Sequence, residues 1–95
     1  MKKMYLFAVL AVLASAVFAQ TTIEFWHAMG GKNGEITAQI CDMFNKSQNE
    51  YVVTPVYKGS YADTMNAGIA AFRSGTPPAI LQVYEVGTAT MMSAK

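Results

Sequence analysis

Three short pairs of aromatic, hydroxyl-bearing or charged residues stand where apolar segments of the chain end or helices begin: Trp26-His27, Ser60-Tyr61 and Tyr84-Glu85. A phenol hydroxyl donates a hydrogen bond to an anionic oxygen such as that of phosphate, whereas an ionised carboxylate accepts hydrogen bonds from hydroxyl groups. Tyr61 therefore suits the phosphate of a ligand, and Glu85 suits its alcohol groups. Two plainer interpretations stay open: Tyr61 as a packing residue of a first helical turn, and Glu85 as a solvated charge.

Enzymatic chemistry has little support in the residues present. His27 is the only histidine, so any Ser-His-Asp or Cys-His arrangement must use it, and no activated nucleophile is evident near it. No spacing of His, Cys, Asp and Glu resembles a metal site. The glycine-rich turn Gly30-Gly31-Lys32-Asn33 matches neither a dinucleotide fingerprint nor a P-loop. The lone Cys41 lies in an apolar helical pattern, where it acts as a small hydrophobe. We expect binding without catalysis, metal or cofactor.

Three strands are predicted to carry these pairs at their ends. Alternating apolar residues predict a strand over Thr21–Trp26, and β-branched residues predict a second over Tyr51–Tyr57. Pro55 has no N–H to give to a ladder, which favours an edge position for the second strand. The apolar run Ala79–Gly87 predicts a third strand, covered on both faces, that brings the pair Tyr84-Glu85 to its far end.

A first helix is predicted by four apolar residues at helical spacing, with Asn33 as its cap and an end near Asn49. These apolar residues are Ile36, Ile40, Met43 and Phe44.

Two further helices are predicted by their caps. Ser60 and Asp63 have the spacing of a capping box, and Arg73-Ser74-Gly75 ends that helix with a cation followed by glycine. Gly68 within it indicates close packing against the sheet. Thr88 is the expected cap of the last helix.

The alternation of strand and helix predicts an α/β fold, a partial doubly wound parallel sheet with strand order 2-1-3. Parallel strands place all three polar pairs at one edge, where helix N-termini also direct N–H groups and where open α/β sheets bind ligands. Three strands leave the outer side of the third exposed, and so small a unit buries little apolar surface. We therefore expect residues 20–95 to be the truncated first part of a larger lobe.

Residues 1–19 have the pattern of a secretory signal peptide. Lys2 and Lys3 form a basic start, residues 4–19 carry no charge, and Val17-Phe18-Ala19 offers a cleavage site. The uncharged run is shorter than the ~20 residues of a membrane span, and no cysteine follows it to carry a lipid. We expect a chain that begins at Gln20, is exported to the periplasm and is not inserted in the membrane.

The charge balance after removal of that segment is slightly acidic. Two of the seven Lys and Arg residues lie in it, which leaves five against six Asp and Glu, a formal charge of −1. No basic cluster or basic amphipathic helix is present, so nucleic acid and anionic membrane are not expected as partners.

Four stretches resemble the beginning of the receptors of extracellular solute-binding protein family 1, and among them most specifically the glycerol-3-phosphate receptors. They are Thr22–Met29, Tyr57–Tyr61, Ala67–Arg73 and Ala79–Met92, the last being the most specific. The residues of the turn Gly30-Gly31-Lys32-Asn33 differ from those most common at these positions in the family.

The resemblance implies a two-lobed periplasmic binding protein that closes on sn-glycerol 3-phosphate or a glycerophosphodiester and hands it to the membrane permease subunits of an ABC importer. It also implies that Tyr61 and Glu85 contact the ligand. Two alternatives stay open. A sugar or oligosaccharide receptor of the same family would add stacked aromatics without an arginine or hydroxyl cluster for phosphate. An exported α/β hydrolase would need a nucleophile with a base.

Overall fold

The computed structural model describes residues 19–94, and in that range strands alternate with helices. The predicted signal peptide lies outside the described residues except for Ala19. No helix between residues 19 and 94 combines the length and hydropathy needed to cross a membrane. The elements, in order, are β1 (Thr21–His27), α1 (Gly31–Ser47), β2 (Tyr51–Tyr57), α2 (Tyr61–Arg73), β3 (Ile80–Leu81), a 3₁₀ turn (Glu85–Gly87) and α3 (Thr88–Ser93).

The three strands form one parallel sheet in the order β2-β1-β3, which confirms the predicted fold class and strand order. β1 pairs with β2 along its whole length, from Thr21 opposite Tyr51 to His27 opposite Tyr57. Pro55 lies on β2, at the edge, as its missing N–H requires. All three strands therefore end at the same side of the sheet.

The third strand is much shorter than predicted. Only Ile80 and Leu81 pair with β1, opposite Phe25 and Trp26. The ladder ends at Gln82: its backbone N–H still donates to the Trp26 carbonyl, but the Ala28 N–H donates to the Gln82 side-chain oxygen instead of to a backbone carbonyl, both at 2.9 Å. The prediction that the strand continues to Tyr84 and Glu85 was wrong. The predicted burial of this strand on both faces is also incomplete, because Ile80 is 45% exposed.

Helix α1 is fixed to the edge strand by one amide side chain. Asn45 donates to the Val53 carbonyl at 2.9 Å and accepts from the Val53 N–H at 2.8 Å, so it satisfies outward-facing groups of β2. The helix begins at Gly31, with Gly30 as N-cap and no side-chain cap, so the prediction of Asn33 as cap was wrong. Asn33 lies in the first turn, where its carbonyl accepts from the Thr37 hydroxyl.

The apolar stripe that predicts α1 faces away from the sheet. Cys41, four residues before Asn45, is buried at 7% exposure, and this burial raises the pKa of its thiol. The stripe residues are 44–71% exposed. They are Ile36, Ile40, Met43 and Phe44. Among the described hydrophobic residues only Cys41 and Met65 are buried, so the uncovered stripe is a large apolar surface of the kind that normally contacts other polypeptide.

Helix α2 forms as its sequence predicts. The Asp63 N–H donates to the Ser60 hydroxyl and the Ser60 N–H donates to the Asp63 carboxylate, which confirms the capping box. Gly68 is buried, and a Cβ built there would overlap the side chain of Leu81 on β3. At the last helix, by contrast, Thr88 is the first helical residue and Gly87 the N-cap, so the predicted Thr88 cap was wrong.

We expect Gly68→Ala to lower the free energy of unfolding by up to about 2 kcal/mol, because overpacking against Leu81 costs about 1–3 kcal/mol and the gain in helix propensity offsets ~1 kcal/mol of it. Urea unfolding measures this. Asn66→Ala, on the exposed face of the same helix, is the matched control and should leave stability unchanged or slightly raised. A Gly68→Ala variant more stable than the unsubstituted chain by about 1 kcal/mol, the full gain in helix propensity, would contradict the close helix-sheet contact.

His27 is a buried polar residue on the α1 side of the sheet, with 4% exposure. Its Nδ1 accepts the Met29 N–H at 3.1 Å, and its ring lies 5.5 Å from that of Phe25 and 6.1 Å from that of Tyr57. An Nδ1 that accepts a hydrogen bond carries no proton, so the ring is neutral with its proton on Nε2. Burial lowers the pKa of His27 below 6.5.

This lowered pKa predicts acid sensitivity below neutrality. Between the folded-state pKa of His27 and 6.5 the unfolded chain binds more protons than the folded one, so stability falls as the pH decreases through that window and is unaffected by His27 above it. His27→Asn keeps an acceptor for the Met29 N–H and does not titrate. We expect unfolding titrations between about pH 7.5 and 5.5 to give a smaller pH dependence for His27→Asn, since the sequence has no other histidine. The same slope in both proteins would contradict the neutral, buried ring.

Candidate functional site

The ends of β1 and β2 and the segment after β3 meet at the carboxyl edge of the sheet, and most of the sequence-predicted site residues lie there. We call this surface the carboxyl edge and define it by Trp26, Lys58, Tyr61, Tyr84 and Glu85. In parallel α/β sheets this edge is the usual place for a ligand.

Tyr61 and Tyr84 are brought together at the carboxyl edge. Their rings stack with centroids 5.3 Å apart and planes 16° from parallel. Tyr61 is the first residue of α2 and 44% exposed, whereas Tyr84 is half-buried beneath it. No side-chain hydrogen bond engages the Tyr61 hydroxyl within residues 19–94. The phenol O–H is therefore available to an incoming acceptor.

Glu85 follows Tyr84 directly and is the first residue of the 3₁₀ turn. Its side chain is exposed, and in the described part of the chain it has neither an ion pair nor a hydrogen bond. Glu85 directly follows the residue that stacks on Tyr61, so its carboxylate and the Tyr61 phenol belong to the same edge of the sheet. A free donor and a free acceptor thus share the carboxyl edge.

Lys58 is a member of this edge that the sequence analysis did not assign. Its Nζ lies 3.8 Å from the centroid of the Trp26 ring, a cation–π contact, and the Trp26 indole N–H donates to Glu24 at 3.2 Å. The chain then turns at Gly59, whose φ of +108° favours glycine. The sequence did offer one signal, a lysine directly after the predicted edge strand β2. The aromatic ring that Lys58 contacts lies on β1, however, and no local pattern pairs the two.

His27, the partner of Trp26 in the first predicted pair, does not join the carboxyl edge. Successive residues of a strand face opposite sides of the sheet, so His27 lies against Tyr57 and the start of α1 while Trp26 faces Lys58. Its Nδ1 is occupied by a backbone N–H. The ring therefore has a structural role and no nucleophile stands beside it among the described residues.

The N-terminus of α2 is less attractive to an anion than expected. Ser60 and Asp63 satisfy each other's backbone N–H groups, and the Asp63 carboxylate adds a negative charge to the first turn. A phosphate at this edge would depend on the Tyr61 hydroxyl and the Lys58 ammonium rather than on the helix dipole alone.

An apolar groove lies elsewhere, between α2, α3 and the segment before β3. It is lined chiefly by Gly68, Phe72, Pro77, Leu81 and Met91, and the carboxyl edge contributes no residue to it. Its lining offers no charged group to a polar ligand. Within residues 19–94 no cluster of His, Cys, Asp and Glu has the composition of a metal site.

The chain is similar to curated proteins named sn-glycerol-3-phosphate-binding periplasmic protein UgpB. It is 51% identical over 88 residues to the protein of that name from Brucella abortus (strain 2308), and 54% identical over 88 residues to those from Yersinia pestis bv. Antiqua (strain Antiqua) and Yersinia pseudotuberculosis serotype I (strain IP32953). In each case the matched span is 93% of this chain and 20% of the relative. These relatives confirm the resemblance identified from the sequence.

No protein-family model matches the chain. The likeness to the UgpB proteins is continuous over nearly all of this sequence, and the chain spans about a fifth of the length of the curated relatives it matches.

Proposed function

We propose that this chain is the first part of the N-terminal lobe of a periplasmic receptor that binds sn-glycerol 3-phosphate or glycerophosphodiesters for an ABC importer, without catalysis. The observation that carries the proposal is that the unengaged Tyr61 phenol and the unengaged Glu85 carboxylate share the carboxyl edge, linked through Tyr84, which stacks on Tyr61 and precedes Glu85 in the chain. Relatives at 51–54% identity, named for binding that phosphate ester in the periplasm, support it.

The two side chains suit opposite ends of such a ligand. The Tyr61 hydroxyl donates to a phosphate oxygen, and the ammonium of Lys58 adds a positive charge at the same edge. Glu85, as an acceptor, takes hydrogen bonds from the glycerol hydroxyls and would repel the phosphate. This division of roles orients the ligand with its alcohol groups toward the start of the 3₁₀ turn.

The remaining contacts come from the rest of a longer protein in this proposal. About four-fifths of each relative lies outside the matched span, and a two-lobed receptor closes over its ligand by a hinge motion. Residues 1–19 direct export, and the loaded receptor contacts the permease subunits of the importer.

A sugar receptor is the second candidate, and one observation favours it: the exposed Tyr61 ring, backed by Tyr84, is a flat aromatic surface of the kind that covers apolar faces of ligands. The exported hydrolase has no such support, because the only histidine is buried on the opposite side of the sheet.

A chimaera provides the test. In it, residues 20–94 of this chain replace the matched segment of the Yersinia pestis relative, so that the carboxyl edge is presented within a full-length receptor. Calorimetric titration with sn-glycerol 3-phosphate should show binding, and a maltooligosaccharide should not bind. Binding of the oligosaccharide alone would favour the sugar receptor.

We expect Glu85→Gln in the chimaera to weaken sn-glycerol 3-phosphate binding on the order of 10- to 100-fold, since a hydrogen bond to a charged group contributes about 1.5–3 kcal/mol and the amide replaces one acceptor oxygen by a donor. Binding of inorganic phosphate should change little, because that ligand has no alcohol group for Glu85 to hold. Glu50→Gln, at the exposed opposite end of the sheet, is the matched control and should change neither affinity.

Either of two results would contradict the assigned role of Glu85. Unchanged affinity of folded Glu85→Gln for sn-glycerol 3-phosphate would make Glu85 a solvated surface charge. Tighter binding would place it against the phosphate, where loss of its charge relieves repulsion.

A further inference from the structure

We infer that Tyr84 is a positioning residue for the ligand site, whose ring holds the Tyr61 phenol in its binding orientation. The inference rests on the proposed function and deepens it, since it concerns a residue that the ligand itself need not touch. It starts from the stacked geometry of the two rings, 5.3 Å between centroids and 16° between planes.

The position of Tyr61 leaves its ring partly in solvent. It is the first residue of α2, so no preceding helical turn packs against its side chain, and it is 44% exposed. Its hydroxyl makes no hydrogen bond to the described residues. The stacked face of Tyr84 is the ring contact that the structure shows for Tyr61, and it restricts how the Tyr61 ring turns.

Tyr84 is itself packed closely against the backbone of the 3₁₀ turn. A Cβ built on Gly87 would lie 3.0 Å from Tyr84 Cε1 and 2.8 Å from Met65 Sδ, so the backbone of the 3₁₀ turn approaches both closely. Met65 is buried and lies one helical turn after Tyr61 on α2. The 3₁₀ turn thus approaches α2 closely at Met65, and the Tyr84 ring that contacts its backbone also stacks on Tyr61, one helical turn earlier.

The stack assigns the role to the ring of Tyr84 and not to its hydroxyl. Within residues 19–94 that hydroxyl has no hydrogen-bond partner. A phenylalanine at position 84 retains the stacking surface, whereas leucine retains bulk but loses the flat face. This pair of substitutions separates positioning through the ring from direct contact with ligand through the hydroxyl.

The test is a double-substitution cycle in the chimaera, measured by titration with sn-glycerol 3-phosphate. We expect Tyr84→Phe to bind within about twofold of the unsubstituted chimaera, Tyr84→Leu to bind about 3- to 10-fold more weakly, and Tyr61→Phe to lose a similar factor. In the Tyr61→Phe background, Tyr84→Leu should cost less than about twofold, because the hydroxyl it positions is already absent.

Thermal unfolding of each variant accompanies the titrations. If Tyr84→Leu does not fold, Tyr84→Met takes its place, since the flexible methionine fills the gap without a flat face. A general loss of structure would weaken binding equally with and without the Tyr61 hydroxyl, so an undiminished effect in the Tyr61→Phe background overturns the inference. Weakening by Tyr84→Phe as large as that by Tyr84→Leu also overturns it, in favour of direct contact through the hydroxyl. Absence of binding by the unsubstituted chimaera would instead overturn the proposed function.

Discussion

The early end of β3 is the constraint on which the candidate site depends. Gln82 uses its side-chain oxygen to bind the Ala28 N–H, and the chain leaves the sheet two residues before Tyr84. Had the strand continued, Tyr84 and Glu85 would face opposite sides of the sheet. Because it ends, the segment crosses to the first turn of α2, where Tyr84 stacks on Tyr61 and Glu85 opens the 3₁₀ turn.

Local signals in the sequence predicted much of this fold. The capping box of Ser60 and Asp63 depends on residues three apart, and it formed as expected. Pro55 and the alternation of elements predicted the edge strand and the strand order, because both follow from general rules of parallel sheets. The candidate site was predicted as residues at strand ends, since parallel strands end together, and Tyr61 and Glu85 do lie there.

The features that the sequence did not predict depend on contacts between distant residues. The hydrogen bond between Gln82 and Ala28 joins residues 54 positions apart. No local sequence pattern predicts this bond or the early end of β3 that accompanies it. The Lys58–Trp26 contact likewise joins β1 to the residue that follows β2. The helical period of α1 was visible, but its orientation was not, because the amide of Asn45 and its bonds to Val53 turn the apolar stripe away from the sheet.

That stripe and the exposed Ile80 bear on the proposal that this chain is part of a larger lobe. They leave apolar surface uncovered on α1 and β3, and such surfaces are where further polypeptide packs. In relatives five times as long as the matched span, the additional chain is available for that purpose. The proposed receptor is thus consistent with the open faces of this unit as well as with its carboxyl edge.

The central claim is that the carboxyl edge of this sheet holds the two ends of a phosphorylated polyol. A crystal structure of the chimaera with sn-glycerol 3-phosphate tests it most directly. The account predicts a phosphate oxygen within hydrogen-bond distance of the Tyr61 hydroxyl and a glycerol hydroxyl within hydrogen-bond distance of the Glu85 carboxylate. A ligand bound elsewhere, or with its phosphate against Glu85, would contradict it.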